Sequence, residues 1–281
     1  MNRRFGTIIA LLSLIFCLNN ICYAKFCSSC GTKANDEAIY CEKCGNKFGL
    51  SSKTVKKETG NKILLRHDIK VGTINKYEMN SIAHSITKQG NKKTETDIES
   101  SQVIEITTTD KDTDGVITQE TKLLEGYTKT NGKKQKIKID GSSIISKINN
   151  LGKTIFTTGD GENGNLNFPE EAVGIGDTWT IKMTPNSQMP IPLEMTYTVE
   201  SIEKYKNEEC VKISVISKGK SNTNNAYLTM ELEGIIWFAY KKCYIINNEL
   251  KSNMNLIDKK SNLTMNMKLS INLLSSKLTT K

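Results

Sequence analysis

The amino-acid pattern predicts a mainly β chain: a large antiparallel sheet, curved or closed part-way into an open half-barrel, with at most one or two short helices and a small cysteine-rich module in front of it. Three observations carry this. After about Lys62, apolar and polar residues alternate with period two, which sets one strand face on a core and the other in water. Turn dipeptides punctuate the alternation at short intervals. The helical stretches that parallel strands need for their crossovers are missing.

Met1–Ala24 has the organisation of a secretory signal: Arg3 and Arg4, an apolar run Phe5–Leu18, then Cys22-Tyr23-Ala24 with small residues where cleavage needs them. The apolar run of about 14 residues is short of the roughly 20 that a spanning helix needs. Left uncut, it would tether the chain with the paired arginines inside and the rest outside. The remainder is therefore expected to be extracytoplasmic, periplasmic or secreted, touching a membrane only through an uncleaved signal. Losing residues 1–24 removes two Arg and no acid from a formal charge of +9. The lysines are scattered, so a solvated surface is the expectation over an anionic-partner patch.

Residues 25–50 form the cysteine module. Of eight cysteines, Cys17 and Cys22 lie in the signal, while Cys27, Cys30, Cys41 and Cys44 make C-x2-C-x10-C-x2-C. Two such knuckles can close a tetrahedron of thiolates around one Zn²⁺. Gly31 and Gly45 follow each pair, where a knuckle needs a residue at ease with positive φ. So short a segment cannot bury a core, so metal ligation would supply most of its folding energy.

Phe26-Cys27-Ser28-Ser29-Cys30-Gly31 and Ala38-Ile39-Tyr40-Cys41-Glu42-Lys43-Cys44-Gly45 resemble the short bacterial zinc ribbon, over residues 26–48. The resemblance implies structural zinc on Cys27, Cys30, Cys41 and Cys44, and no activity. In an exported chain the same thiols have two other outcomes, a pair of disulfides or a C-x-x-C redox centre; zinc is the favoured reading. Lys25, Lys33, Lys43 and Lys47 face Asp36, Glu37 and Glu42, which is too little charge for a phosphate binder, so no nucleic-acid partner is expected.

Ser51–Asn61 is polar and lysine-rich and reads as a linker. Residues 62–281 are the β domain. Strands are expected near 62–69, 73–88, 95–109, 115–126 and 134–140, separated by Gln89-Gly90-Asn91, Thr113-Asp114-Gly115, Asn131-Gly132 and Asp140-Gly141. Ser142–Asn150 is expected as a short helix. The alternation is explicit in four runs: Leu193, Met195, Tyr197 and Val199; Val211, Ile213 and Val215; Ala226, Leu228, Met230 and Leu232; Leu263, Met265, Met267, Leu269, Ile271 and Leu273, and some strands reach ten or more residues. Strands of this length favour one strongly curved sheet over a compact sandwich. Their apolar face is either plain core or the lining of an apolar groove.

Phe168-Pro169 followed by Val173-Gly174-Ile175-Gly176-Asp177-Thr178-Trp179, with Lys70-Val71-Gly72 opening an earlier strand, is similar to a family of uncharacterised secreted bacterial β-sheet proteins. The strand pattern can also be likened, by fold analogy, to the half-barrel of periplasmic lipoprotein carriers. Neither likeness brings a catalytic residue.

Asp110-Lys111-Asp112-Thr113-Asp114-Gly115-Val116-Ile117 matches the first positions of a calcium loop, but its closing Glu is replaced by Thr121, with Glu120 one residue early. A hairpin turn explains the same residues. Asp160–Asn165 reads as a flexible polar loop. Cys210 and Cys243 are either a cross-strand disulfide or two small buried hydrophobes. His67 and His84 stand apart in strands, and no nucleophile elbow, phosphate loop or zinc-protease motif occurs, so no catalytic residue and no enzyme is expected. Trp179 and Trp237 are expected to anchor the core. The functional expectation is an exported, non-enzymatic binding protein: a structural zinc ribbon tethered to a β domain that takes an apolar ligand, a lipoprotein or a protein partner. The alternatives are an envelope scaffold without ligand and a thiol-redox protein using the C-x-x-C pairs.

Overall fold

A computed structural model of the chain describes residues 62–158, 166–183, 191–222 and 226–279. The signal, the four-cysteine module, the linker and the Asp160–Asn165 loop lie outside the described residues.

The alternating segments form twelve strands: β1 (Thr73–Gln89), β2 (Lys92–Lys111), β3 (Ile117–Thr130), β4 (Lys133–Lys136), β5 (Ser143–Ile148), β6 (Thr154–Thr157), β7 (Thr178–Met183), β8 (Leu193–Tyr205), β9 (Glu208–Asn222), β10 (Ala226–Ala239), β11 (Tyr244–Asp258) and β12 (Asn262–Leu278). They make one curved, unclosed antiparallel sheet in the order β6-β5-β3-β2-β1-β12-β11-β10-β9-β8-β7, with β4 added beside β3. The first long strand thus pairs with the last, Thr73 opposite Leu278.

Among the described residues there is no helix. The helix expected over Ser142–Asn150 is instead β5, paired with Ile117–Lys122 of β3. Ser146 and Ile148 are buried and Lys147 between them is exposed, a period of two that a sheet neighbour rewards and a lone helical turn would not. The strand expected over 62–69 is an extended segment with one bridge, Ile63 to Val173. The turns fall where expected. At the β3–β4 hairpin, Asn131 (φ 47°) and Gly132 (φ 82°) both take the left-handed conformation that a two-residue turn requires. Asn131 Oδ1 also accepts the Asp97 N–H at 2.8 Å.

Strand register stacks the inner-face residues in rows across the sheet. One row runs Ile98, Ala83, Met267, Ser252, Leu232, Ser217, Met195, Ile181, from β2 to β7. Ala and Ser alternate with larger residues along part of it, which lets neighbouring strands lean inward. Two irregular segments, Lys62–Ile69 and Leu166–Val173, pack against one end of this face. They add Leu65, Leu166, Phe168 and Val173 to a core with Tyr77, Tyr197, Ile213, Phe238 and Ile271.

Candidate ligand-binding face

The inner face has two ends. At the first, the two irregular segments form a plug. Ile63 and Val173 exchange backbone hydrogen bonds (2.8 and 2.9 Å), the His67 N–H donates to Asn150 O, and Phe168 N–H to Leu151 O, both at 2.8 Å. Arg66 clamps the segments together by donating to Pro169 O (2.9 Å) and Glu170 O (2.5 Å). His67 stacks on Phe168 at 4.8 Å, and Phe168 tilts against Phe238 at 4.7 Å. His67 Nε2–H donates to Leu166 O at 2.7 Å. Burial pushes the His67 pKa down to about 4, against the smaller opposing pull of that carbonyl. Beneath the plug lies a cavity of about 160 Å³ bordered by His67, Asn75, Tyr77, Gln119 and a wall of Ile104, Ile106 and Ile271. Burial raises the Tyr77 pKa, as does its neighbour Tyr244; the Asn75 side chain beside the phenol opposes the rise.

The second end is lined by methionine and serine. Met230, Met254, Met265 and Met267 cluster with Ala83, Ile98, Ile191 and Leu193. Ser81, Ser85, Ser100, Ser217 and Ser252 are buried on the same face. Ser85 donates to Thr96 O at 3.3 Å, but the hydroxyls of Ser217 and Ser252 have no hydrogen-bond partner among the described residues. These two flank Leu232 in one row. A buried hydroxyl without a partner carries a desolvation cost of about 1–3 kcal/mol that a bound polar group would relieve. Methionine is unbranched and polarisable, so it repacks around differing apolar shapes.

The outer face carries an open trough of about 730 Å³ across β8–β12 and β1. Ile82 is 62% exposed within it, and Ile216 and Ile235 continue the apolar floor. Its rim is charged and largely satisfied internally: Lys251 pairs with Glu233 at 2.8 Å, and Ser214 donates to Glu200 at 2.5 Å.

The remaining expected sites fall as follows. Cys27, Cys30, Cys41 and Cys44 lie outside the described residues. The Asp110–Ile117 segment is a hairpin turn in which the Asp112 carboxylate accepts the N–H groups of Asp114 (3.0 Å) and Val116 (2.9 Å). Among the described residues, no three His, Cys, Asp or Glu side chains gather as a metal would require. Cys210 and Cys243 are free thiols, not a disulfide. Cys210 packs with Ala239, Tyr244 and Ile246, whereas Cys243 sits in the left-handed turn before β11 and packs toward Ile69, Ile117 and Ile148. They serve different clusters, as small hydrophobes. Burial pushes the Cys210 pKa up to about 11 and raises that of Cys243. His84 is remote from His67 and donates Nδ1–H to Asp97 at 2.8 Å. Trp179 anchors the core, stacked on Tyr197 at 5.2 Å with Nε1 donating to Asn167 O. Trp237 does not join it there: it lies half-buried on Tyr205 (4.7 Å) and donates to Glu203 at 2.9 Å. Asn75, Tyr77 and Gln119 gave no signal in the sequence, because their convergence depends on strand register and on the plug.

No family model matches the chain, and no curated protein matches it in sequence. Among solved structures it is similar to lipovitellin, from a study of lipid–protein interactions, at 11% identity over 76% of this chain with a TM-score of 0.47; the chain spans about a quarter (26%) of that protein's length. It is also similar to the translocator domain of the autotransporter NalP from Neisseria meningitidis (8% identity, 73% of this chain and 90% of that one, TM-score 0.24). A third is a putative outer membrane lipoprotein-sorting protein domain from Vibrio parahaemolyticus (7% identity, 72% and 86%, TM-score 0.16). At these identities and scores the functional reading rests on the residues of the chain itself.

Proposed function

We propose that the chain is an extracytoplasmic, non-enzymatic binding protein whose β domain takes an apolar ligand, a lipid or the acyl part of a lipoprotein, on the methionine–serine end of its inner face. The supporting observation is the row in which two buried, unpartnered hydroxyls, Ser217 and Ser252, stand among Leu232, Met195 and Met267. Methionines would conform to the chain of the ligand, and the hydroxyls would meet its ester or headgroup atoms. Native mass spectrometry of protein purified from its producing cell tests this. Co-purified lipid, lost when Met254 and Met267 are both changed to Trp, is the expected result. A ligand-free mass, with no uptake from added fatty acid or phospholipid vesicles, would leave the scaffold alternative.

The four-cysteine module is read as structural zinc on Cys27, Cys30, Cys41 and Cys44, four ligands leaving no open position for catalysis. Metal analysis of the exported protein should give about one zinc per chain, and Cys41→Ser with Cys44→Ser should abolish it. Metal-free protein with those sulfurs bridged would instead favour the disulfide or redox alternatives.

A further inference from the structure

The cavity beneath the plug is separate from the methionine–serine end and carries its own chemistry. Asn75 is 3% exposed, and its Oδ1 has no hydrogen-bond partner among the described residues. Its side chain lies beside the Tyr77 phenol, two residues on along the same face of β1, and opposes the rise that burial gives the Tyr77 pKa. With the amide nitrogen donating to Tyr77, the pair leaves Oδ1 as an acceptor and the phenolic O–H as a donor. With the amide turned over, the nitrogen is left as donor and the phenolic oxygen as acceptor. In both arrangements the two residues offer one donor and one acceptor, and both border the same cavity. A hydroxyl satisfies both at once, because it donates once and accepts through its lone pairs. Among the described residues no charged side chain borders the cavity, and Ile104, Ile106 and Ile271 supply an apolar wall. Its volume of about 160 Å³ is close to the roughly 150 Å³ that accepts a benzene ring and well below the usual range for drug-sized ligands.

We infer that this pocket binds a small, uncharged, apolar molecule bearing one hydroxyl, of about the size of phenol, with the hydroxyl between Asn75 and Tyr77 and the body against the isoleucine wall. The site is independent of lipid binding at the other end of the face, so either can fail alone. The test is a titration of the full chain with phenol and with toluene, which matches phenol in size but lacks the hydroxyl, followed by ligand-observed NMR. Phenol should bind at a single site, and toluene about tenfold more weakly, the loss expected for one neutral hydrogen bond. Tyr77→Phe should bring the two probes to equal affinity by weakening phenol. Asn75→Leu, which fills the polar corner, should weaken phenol at least as much. No phenol binding to folded wild-type protein, equal binding of the two probes, or an undiminished preference in folded Tyr77→Phe would each overturn the proposal. If Asn75→Leu fails to fold, the Tyr77→Phe comparison decides alone.

Discussion

His67 shows how one buried side chain couples the plug to proton concentration. Its folded pKa lies near 4 because burial disfavours the charged ring, while an unfolded histidine titrates at its ordinary value of 6.5. Between those values the unfolded chain binds the extra proton, so stability falls as pH falls from 6.5 toward 4. The depression implies a loss on the order of 3 kcal/mol near pH 4 relative to pH 7. Urea denaturation at pH 7 and pH 4.5 should show this slope in wild-type protein and a shallower one in His67→Gln, which keeps an N–H for Leu166. Equal slopes in the two proteins would mean that other groups set the acid sensitivity. Nothing about His67 in the sequence announced this. Its partners, Leu166 and Phe168, lie about a hundred residues away, and a strand-like context alone left it indistinguishable from His84, which is exposed and paired to Asp97.

At the scale of the strand, curvature is bought with glycine on the inner face. A Cβ on Gly234 would collide with the Leu250 side chain and lie 2.5 Å from the Glu249 carbonyl oxygen, a backbone atom that cannot swing aside. Gly234→Ala is therefore expected to destabilise the domain by about 1–3 kcal/mol through overpacking, read as a lower thermal midpoint with the strand content of the circular dichroism spectrum retained. Gly90→Ala, where a Cβ would meet nothing within 4 Å, carries only the backbone strain of a left-handed residue (φ 55°) without any collision and makes the useful contrast. An undisturbed Gly234→Ala would show that β11 can move away at little cost. The long strands β8, β9, β10 and β12 were readable because each alternates apolar and polar residues, as Leu263 to Leu273 does; β11 was not, because Asn248 and Ser252 put polar side chains on its buried face. Strand β5 was misread because its alternation spans only six residues and follows an Asp-Gly turn that also suits a helix start. The rows of methionine and serine were present in the sequence as single-strand patterns. Their alignment into one lining was not, since it depends on which strands are neighbours.

For the molecule as a whole, the decisive choice is topological. Apart from β5, which pairs with β3 across the short added strand β4, sheet neighbours are consecutive in sequence everywhere but at the seam between β1 and β12. The seam divides the sheet into a wing of β1 to β6 and a wing of β7 to β12. Closing it requires the greatest loop entropy, because some two hundred residues separate its strands, so refolding should be slow compared with the hairpins on either side. Stopped-flow fluorescence of Trp179 and Trp237, both in the second wing, should report an early phase for that wing. A mixed-wing probe at Tyr77 should lag behind it. Simultaneous phases at all three positions would point to a single cooperative nucleus.

The seam also brings Gly72 and Thr279 into direct contact: Thr279 donates both its N–H (3.0 Å) and its hydroxyl (2.8 Å) to the Gly72 carbonyl. Two points far apart along the polypeptide are therefore adjacent in space, and a short peptide could join them without deforming a strand. A circular permutant linked there and opened at the exposed Asn91 turn would give up the chain before Gly72, the Lys62–Ile69 segment of the plug included, but keep every pairing between strands while turning the most distant of them into the most local. Its faster recovery from denaturant would measure directly how much of the folding time is spent waiting for the two wings to meet.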